Sequence, residues 1–226
     1  MFVGHYAASL AAKAAEPRAP LWTYVIGAQF LDVGWAILVA AGVEKVRVDP
    51  SLQGSTLDLY YMPWTHSLPG ALAWSVLGAL LIRYLLKLDW RPAAFVGLTV
   101  FSHWLGDLLV HRPDLELWVG GPKVGLGLWN LAVAEQAVEI GLVAIATAFW
   151  AGQRVREGRR IWPAALFLTF LLALQLVGLV APMGGDKVLT AAMTLAAYGV
   201  TALIAWWIDR RPVDVADRLP AEPVRA

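Results

Sequence analysis

The sequence contains no cysteine, and this absence excludes several kinds of functional site at once. Disulfide bonds, thiolate-ligated metal centres and a cysteine nucleophile all require that residue. Charged residues are also scarce, at 15% of the chain compared with about 25% in ordinary soluble domains. The formal net charge is +1, which argues against a nucleic-acid partner because phosphate binding requires concentrated Lys and Arg.

Hydrophobic residues dominate what remains, at 59% of the chain with a mean hydropathy of +0.60. Soluble domains are about 45–50% apolar, so the composition predicts an integral membrane protein. The N-terminus has no cationic segment ahead of an apolar core, and we therefore expect no cleaved signal peptide. A glycine-rich phosphate loop, a P-loop and a nucleophile elbow are also missing from the sequence.

Apolar segments long enough to cross a membrane recur along the chain, since a spanning helix needs about 20 residues. They predict an all-α, polytopic membrane helical bundle with about six spanning helices and a short N-terminal helix over residues 2–16. The last two segments contain no charged residue and are interpreted as plain spans, and the Pro-rich tail 209–226 is predicted to be disordered. The chain up to residue 208 would form a single transmembrane domain. The six predicted spans are 20–42, 67–86, 92–110, 127–150, 161–181 and 188–208.

The basic residues predict an orientation. If six spans alternate, 13 of the 18 Lys and Arg residues fall on one side of the membrane. They lie near the N-terminus, in the 83–91 and 151–160 turns, and in the C-terminal tail. Because basic residues accumulate in cytoplasmic loops, this side and the C-terminus are predicted to be cytoplasmic.

A histidine and an aspartate share a helical face in the motif Ser102-His103-x3-Asp107, inside the predicted span 92–110. Ionisable groups within a bilayer are expensive and by default mark function. Imidazole and carboxylate ligands suit Zn, Mn or Fe rather than Ca or Mg. Counting about 1.5 Å per residue places further ionisable residues in the outer half of the bilayer as well. The candidate metal ligands are His5, Asp32, His66, His103, Asp107, His111, Glu135 and Glu139.

Each candidate has a simpler explanation. Asp32 would hydrogen-bond to a neighbouring helix, and one of Glu135 and Glu139 would be a protonated residue packed in the bundle. His103 and Asp107 would also satisfy one another without a metal, His66 would suit a helix start, and His111 would be an ordinary residue at the membrane rim. His5 would reach the site if the N-terminal helix packs on the bundle, and would not if that helix lies on the cytoplasmic surface. Acidic residues of the polar loops are expected to be solvated: Asp58, Asp114 and Glu116.

At these residues the sequence resembles the YdjM-like family of membrane-bound metal-dependent hydrolases of the bacterial inner membrane. That family is in turn similar to zinc-dependent phospholipase C and the S1/P1 nucleases. Those soluble all-helical enzymes place His, Asp, His, His-x3-Asp, His and His-x3-Glu around three zinc ions, and the order here is the same. Glu135 stands where the relatives have His, and Asp32 stands alone where the hydrolase family usually shows Pro-Asp-x-Asp. The resemblance covers residues 1–140, and its matching pieces are Gly4-His5, Asp32, Thr65-His66-Ser67 and His103-x3-Asp107.

The resemblance implies a metal-dependent hydrolase of a bacterial inner membrane, acting on a phosphoester of a lipid headgroup or prenyl phosphate. It implies one to three transition-metal ions, with zinc first and Mn or Fe as alternatives. His103, Asp107 and His66 would hold one ion, and His5 with Asp107 would hold a second. A further ion would lie at His111, Glu135 and Glu139, and Asp32 would be a ligand or the general base.

Two other functions remain open from the sequence. An ion- or proton-coupled transporter would use the same acids and histidines as a relay. A metal-binding protein without catalysis would use them as ligands only. A transporter needs polar groups that reach both faces of the membrane, and the predicted cytoplasmic half has almost none. This distribution favours a blind pocket that faces the outer leaflet, with membrane lipid as substrate or solvent.

Overall fold

The computed structural model describes residues 1–180 and 187–210, and this part of the chain is an all-α membrane bundle with two small β-hairpins. The predicted fold class is confirmed. Residues 181–186 and 211–226, which include most of the tail predicted to be disordered, lie outside the described residues. The elements are α1 (Tyr6–Ala15), α2 (Leu21–Ala28), α3 (Phe30–Ala40), β1 (Lys45–Val48), β2 (Leu57–Tyr61), α4 (Leu68–Leu85), α5 (Trp90–Val110), β3 (Leu115–Glu116), β4 (Lys123–Val124), α6 (Ala132–Arg156), α7 (Trp162–Val180) and α8 (Lys187–Ile208).

Helices α4 to α8 are each long and apolar enough, by length and composition, to cross a membrane. Helices α2 and α3 pass the same test only together, as a pair bent by 49°. The bundle therefore has five candidate spans, or six if the bent pair counts as one.

The first predicted span, 20–42, is not one continuous helix, and that expectation is corrected. Helix α2 ends and α3 begins at Gln29, whose φ of −113° and ψ of +10° are not helical. The Gln29 side chain is buried and donates a hydrogen bond to the Phe2 carbonyl at 3.3 Å. Hydropathy does not detect this break because the residues on both sides of it are apolar.

The helix predicted over 127–150 has different ends in the structure, because a short 3-10 turn precedes it. Gly127 has a φ of +74° and precedes a 3-10 turn over Leu128–Asn130, so α6 begins only at Ala132. Its other end reaches Arg156, beyond the predicted boundary. The two β-hairpins were not predicted; in the larger one, Arg47 pairs with Asp58 across the strands at 2.6 Å.

The N-terminal helix α1 lies inside the bundle. Tyr6 and Leu10 have no solvent exposure and pack with residues of α2, α6 and α7. The alternative in which residues 1–16 lie flat on the membrane surface is therefore wrong. Burying α1 carries the residue before it, His5, into the protein interior.

Ion pairs connect the ends of several helices at the end of the bundle opposite His5, which we call the basic end. The buried Glu16 carboxylate accepts two hydrogen bonds from Arg18, at 2.7 and 2.8 Å, and pairs with Arg91 at 3.0 Å. The Arg18 guanidinium holds the pKa of Glu16 below its ordinary value. Lys13 pairs with Asp209 at 2.7 Å, so the ends of α1 and α8 meet there. The first residue of the predicted disordered tail is thus part of the fold.

The Lys13–Asp209 pair yields a stability prediction. Both side chains are at most 7% exposed, and Asp209 also accepts the Leu21 N–H at 2.9 Å, at the start of α2. We expect Asp209→Asn to lower the free energy of unfolding by about 3–5 kcal/mol, because it removes a buried carboxylate that pairs with the Lys13 ammonium and caps the start of α2. Denaturant unfolding in detergent micelles, followed by circular dichroism, measures the change. The matched control is Asp89→Asn, which removes an exposed carboxylate at the same end and should change stability little. Equal effects of the two variants would contradict the prediction.

Candidate metal centre

Six of the predicted ligands converge at the end of the bundle away from the basic end. Helix α5 and the residue after it supply three of them, His103, Asp107 and His111, spaced four apart and so on one helical face. Helix α3 supplies one, the segment before α4 supplies one, and the 3-10 turn before α1 supplies one. Five are 1–4% exposed, and the sixth has a side chain that is 21% exposed. Asp32 comes from α3, His66 from the segment before α4, and His5 from the 3-10 turn. The partly exposed ligand is Asp32.

The Asp107 carboxylate stands between two sets of imidazoles. Its Oδ2 atom lies 3.1 Å from His103 Nε2 and 3.5 Å from His66 Nε2. Its Oδ1 atom lies 3.2 Å from His5 Nε2 and 3.4 Å from His111 Nε2. One carboxylate thus faces four imidazole nitrogens, two through each oxygen.

Asp32 completes the first of these sets. Its Oδ1 atom lies 3.3 Å from His66 Nε2 and 3.4 Å from His103 Nε2. A tetrahedral zinc ion with bonds of about 2.0–2.1 Å holds its ligand atoms about 3.3–3.4 Å apart. Four of the six separations among these atoms, at 3.1–3.5 Å, match the edges of such a tetrahedron. The donor atoms of Asp32, His66 and His103 all lie within 4.8 Å of one another, which is close enough to hold a metal ion, and Asp107 Oδ2 lies beside the two histidines.

Three of the imidazoles are held in the tautomer that metal binding requires. His103 Nδ1 donates to the Ala28 carbonyl at 2.6 Å, and His111 Nδ1 donates to Asp114 Oδ1 at 2.8 Å. His66 Nδ1 donates to Thr65 Oγ1 at 2.7 Å. Each ring thereby directs its Nε2 lone pair at the carboxylates.

Lone pairs and carboxylate oxygens that face one another repel unless a cation or a shared proton lies between them. At Asp107 Oδ1 the α-ammonium of Met1 approaches to 3.4 Å. Among the described residues, both ring nitrogens of His5 and the Oδ2 atom of Asp107 are buried without a hydrogen-bond partner. Orphaned polar atoms of this kind are costly unless something binds them. The cluster contains two overlapping donor groups that could hold a metal ion, His5 with His103 and Asp107, and Asp32 with His66 and His103. The donor set and its unpaired atoms fit transition-metal ions.

The close approach of His5 depends on a glycine. Its ring stacks on that of His103, with centroids 3.7 Å apart and planes 6° from parallel. A β-carbon at Gly106 would lie 3.2 Å from the His5 ring, which is tighter than ordinary packing. A larger residue at position 106 would push the N-terminal turn away from α5.

Two carboxylates behind the ligands were missed by the sequence interpretation. Asp114, expected to be solvated, binds His111 and has a side chain only 15% exposed; its signal was the spacing His111-x2-Asp114. Glu44 is 1% exposed and accepts the Thr65 hydroxyl at 2.7 Å, which in turn accepts from His66. No local pattern marks Glu44, because its contact with Thr65 is tertiary. Glu116 was also expected to be solvated, and it is buried and accepts the Gly120 N–H at 2.8 Å.

The two glutamates of α6 are not among the members of the two donor groups in the described part of the chain. Glu139 accepts the backbone N–H groups of Phe2 and Gly4, each at 2.9 Å. It therefore anchors the turn that carries His5. Glu135 accepts a hydrogen bond from Gln136 at 2.6 Å. Both glutamates line a cavity beside the cluster, and His111, predicted to bind a further ion with them, faces Asp107 instead.

This cavity has a volume of about 430 Å³ and reaches Asp32, His66, Asp107 and His111. Its other walls include residues 174, 175 and 177–179 of α7 and several residues of α8. The Tyr198 hydroxyl of α8 donates to Asp32 Oδ2 at 2.5 Å. Helices α7 and α8, interpreted from sequence as plain spans, therefore contribute to the site. The sequence did not predict this role, because these helices contribute only apolar cavity-lining residues and one tyrosine hydroxyl, and neither stands out in an apolar span.

A prediction follows for Glu44. In Glu44→Gln the amide NH₂ would replace the carboxylate oxygen that now accepts the Thr65 hydroxyl. The hydroxyl would then turn to donate to His66 Nδ1, which places the ring proton on Nε2, where a ligand lone pair is needed. We expect metal affinity to fall about 10–100-fold, measured by competition with a chelating dye. Glu116→Gln is the matched control, and metal affinity as low as that of Glu44→Gln would contradict the proposed role.

Comparisons of the chain with protein-family models, with curated proteins and with solved structures give no match.

Proposed function

We propose that the protein is a membrane-embedded, metal-dependent hydrolase that cleaves a phosphoester of a lipid headgroup or prenyl phosphate. The observation that carries the proposal is Asp107, whose two oxygens face two sets of imidazoles. Paired metal positions that share a carboxylate suit phosphoester hydrolysis, in which an attacking and a leaving oxygen both need stabilising. The ordered resemblance to YdjM-like hydrolases supports the same reaction.

Zinc is the metal that we propose, with Mn or Fe as alternatives. Nitrogen and oxygen donors at tetrahedral separations are typical of zinc sites. His66, His103, Asp32 and Asp107 would hold one ion, and His5, His111 and the other oxygen of Asp107 would hold a second. Zinc polarises a phosphoryl oxygen and lowers the pKa of water toward about 7.

The chain itself positions the reacting groups. Asp32 has the most exposed side chain of the cluster and lines the cavity, so it is the carboxylate that a substrate or water would meet first. Tyr198 holds its Oδ2 atom, while its Oδ1 atom faces His66 and His103. Asp32 is thus either the outermost ligand or the general base. Burial of the other five ligands excludes bulk water from the rest of the centre.

Hydrolysis by reconstituted protein tests this proposal. Phospholipids and prenyl phosphates in liposomes should release a water-soluble product that contains phosphate. A chelator should stop the release, and added zinc should restore it. The contrary outcome is that no phosphoester is cleaved, while Asp107→Asn abolishes a proton- or ion-coupled flux into the same liposomes. That result would replace the hydrolase by the transporter.

The proposed location is a bacterial inner membrane, with the site facing the outer leaflet and the basic end in the cytoplasm. The absence of native cysteine makes the orientation directly measurable. We expect Gln53→Cys, exposed in the β1–β2 turn, to react with an impermeant maleimide in intact cells. Glu157→Cys, exposed at the end of α6, should react only after the cells are opened. The reverse labelling pattern would contradict both the orientation and the outward-facing site.

A further inference from the structure

The cavity beside the metal centre has chemically different ends. Carboxylates and imidazoles line one end, and most of the remaining wall is apolar. Gln175 also lines the cavity, and its buried Oε1 atom has no hydrogen-bond partner. Its Nε2 atom donates to Gln136, so the acceptor atom is the one left free. The apolar wall includes Trp35, Leu57, Leu59, Met62, Trp129, Leu174, Val177, Leu179, Met193 and Ala197.

The lining contains no basic side chain. Across residues 1–180 and 187–210, no Lys or Arg lines the cavity, while Glu135, Glu139 and two aspartates do. Met1 also lines the cavity, and its α-ammonium lies 3.4 Å from Asp107 Oδ1. A small soluble phosphate compound would find no guanidinium here, and its affinity would come from this paired ammonium and from the metal centre. A ligand with a long apolar part would also gain from burying hydrocarbon against the remaining wall.

Three of the apolar residues that line the cavity, on α7 and α8, are also exposed on the protein surface. These residues are Val177, Leu179 and Met193, which are 56%, 58% and 60% exposed. Val177 lies about 5 Å from the end of α7, counted at 1.5 Å per residue. Apolar residues that both line a cavity and are exposed on a candidate membrane-spanning helix give a hydrocarbon chain an apolar entry into that cavity. A lipid tail would therefore enter from the side without crossing water.

We infer that the space between α7 and α8 binds the hydrocarbon tail of a membrane amphiphile whose polar head lies at Asp32 and Asp107. The reaction at that head rests on the proposed function, whereas the binding of the tail does not require it. Gln175 Oε1 can accept a hydrogen bond from a hydroxyl or amide group at the junction of head and tail. The two helices outside the family resemblance would thus select the substrate, and the first 140 residues would supply the metal ligands.

Photolabelling tests the inference without any need for turnover. The probe is a hexadecyl phosphonate with a diazirine in its tail, which has no ester bond to hydrolyse. We expect label to concentrate on peptides 174–179 and 193–198 of zinc-loaded protein in micelles. Ala197→Phe, which fills the cavity from α8, should lower this labelling at least several-fold. The matched control is Gly199→Phe, which adds the same ring to the same helix in open space and should leave labelling unchanged.

Metal content shows whether a variant that loses labelling is still folded. Both variants should keep the metal content of the wild type, and Gly178→Phe repeats the test from the α7 wall if Ala197→Phe does not. Labelling spread evenly over lipid-facing residues of α4 and α7, and unaffected by the cavity variants, would overturn the inference. If labelling follows the cavity but no phosphoester is hydrolysed, the proposed reaction fails and the tail site stands. If phosphoesters are hydrolysed and the cavity is not labelled, the reaction stands and the tail site fails.

Discussion

Asp107→Ala is expected to strip the protein of all its bound transition metal. In the proposed assignment each metal position takes one oxygen of this carboxylate, so one substitution damages both positions. His5→Ala removes a ligand only from the set at Oδ1 and should leave the other ion in place. Elemental analysis of protein purified without chelator should give at least one zinc-like ion per wild-type chain and none for Asp107→Ala. His103→Ala should also lose metal, because its Nε2 atom lies near both Asp107 Oδ2 and Asp32 Oδ1.

The matched control for this experiment is Asp58→Ala. Asp58 is a carboxylate of the β1–β2 hairpin that pairs with Arg47 away from the cluster. Its variant should retain the metal content of the wild type, and circular dichroism should show that all variants keep their helices. A wild type that carries no more metal than Asp107→Ala would refute the metal centre. The cluster would then be a set of buried histidines paired with acids.

Asp32→Asn is expected to lower the rate of hydrolysis by about 10²-fold or more, since positioned proton transfer contributes about 10²–10⁴. The substitution keeps the shape of the side chain and an oxygen to accept the Tyr198 hydroxyl, so the fold should survive. Metal content distinguishes the two roles of Asp32. If Asp32 is the general base, kcat falls while bound metal stays at the wild-type level. If it is a ligand, metal and kcat fall together, and excess zinc partly restores both.

Tyr198→Phe provides the comparison for this second experiment. It removes only the hydroxyl that holds Asp32 Oδ2, at 2.5 Å, and leaves the carboxylate in place. We expect a smaller loss of kcat than in Asp32→Asn. An unchanged kcat in Asp32→Asn would remove Asp32 from both roles.

Much of this fold is predictable because a bilayer makes two simple demands. Backbone polar groups must be satisfied within each span, so long apolar segments must be helices. Charged groups are costly there, so His103 and Asp107 stand out from their apolar surroundings. Their spacing of four residues then predicts that they share a face, and counting residues gives their depth. Local facts of this kind predict that five of the six ligands lie in the outer half of the bilayer, whereas the arrival of His5 depends on the packing of α1.

Other parts of the site depend on tertiary contacts that leave no local trace. Glu44 and Tyr198 are ordinary in their sequence surroundings and gain their roles only when distant helices pack. The break at Gln29 lies within an apolar run and is stabilised by a contact with Phe2. A hydropathy average taken over a window of residues does not detect a single polar residue such as Gln29. Counting residues places Glu139 at the depth of the site but does not reveal that its carboxylate accepts the backbone N–H groups of Phe2 and Gly4.

The break at Gln29 frees the Ala28 carbonyl to accept a hydrogen bond from a side chain instead of from the backbone. In an unbroken helix the Ala28 carbonyl would accept the N–H of Asp32, four residues on. Here it accepts the Nδ1 proton of His103 instead. Straightening the first span would therefore return that carbonyl to the backbone and leave the His103 ring free to change tautomer. The kink of a transmembrane helix and the protonation state of an imidazole on a neighbouring helix are governed by the same oxygen atom.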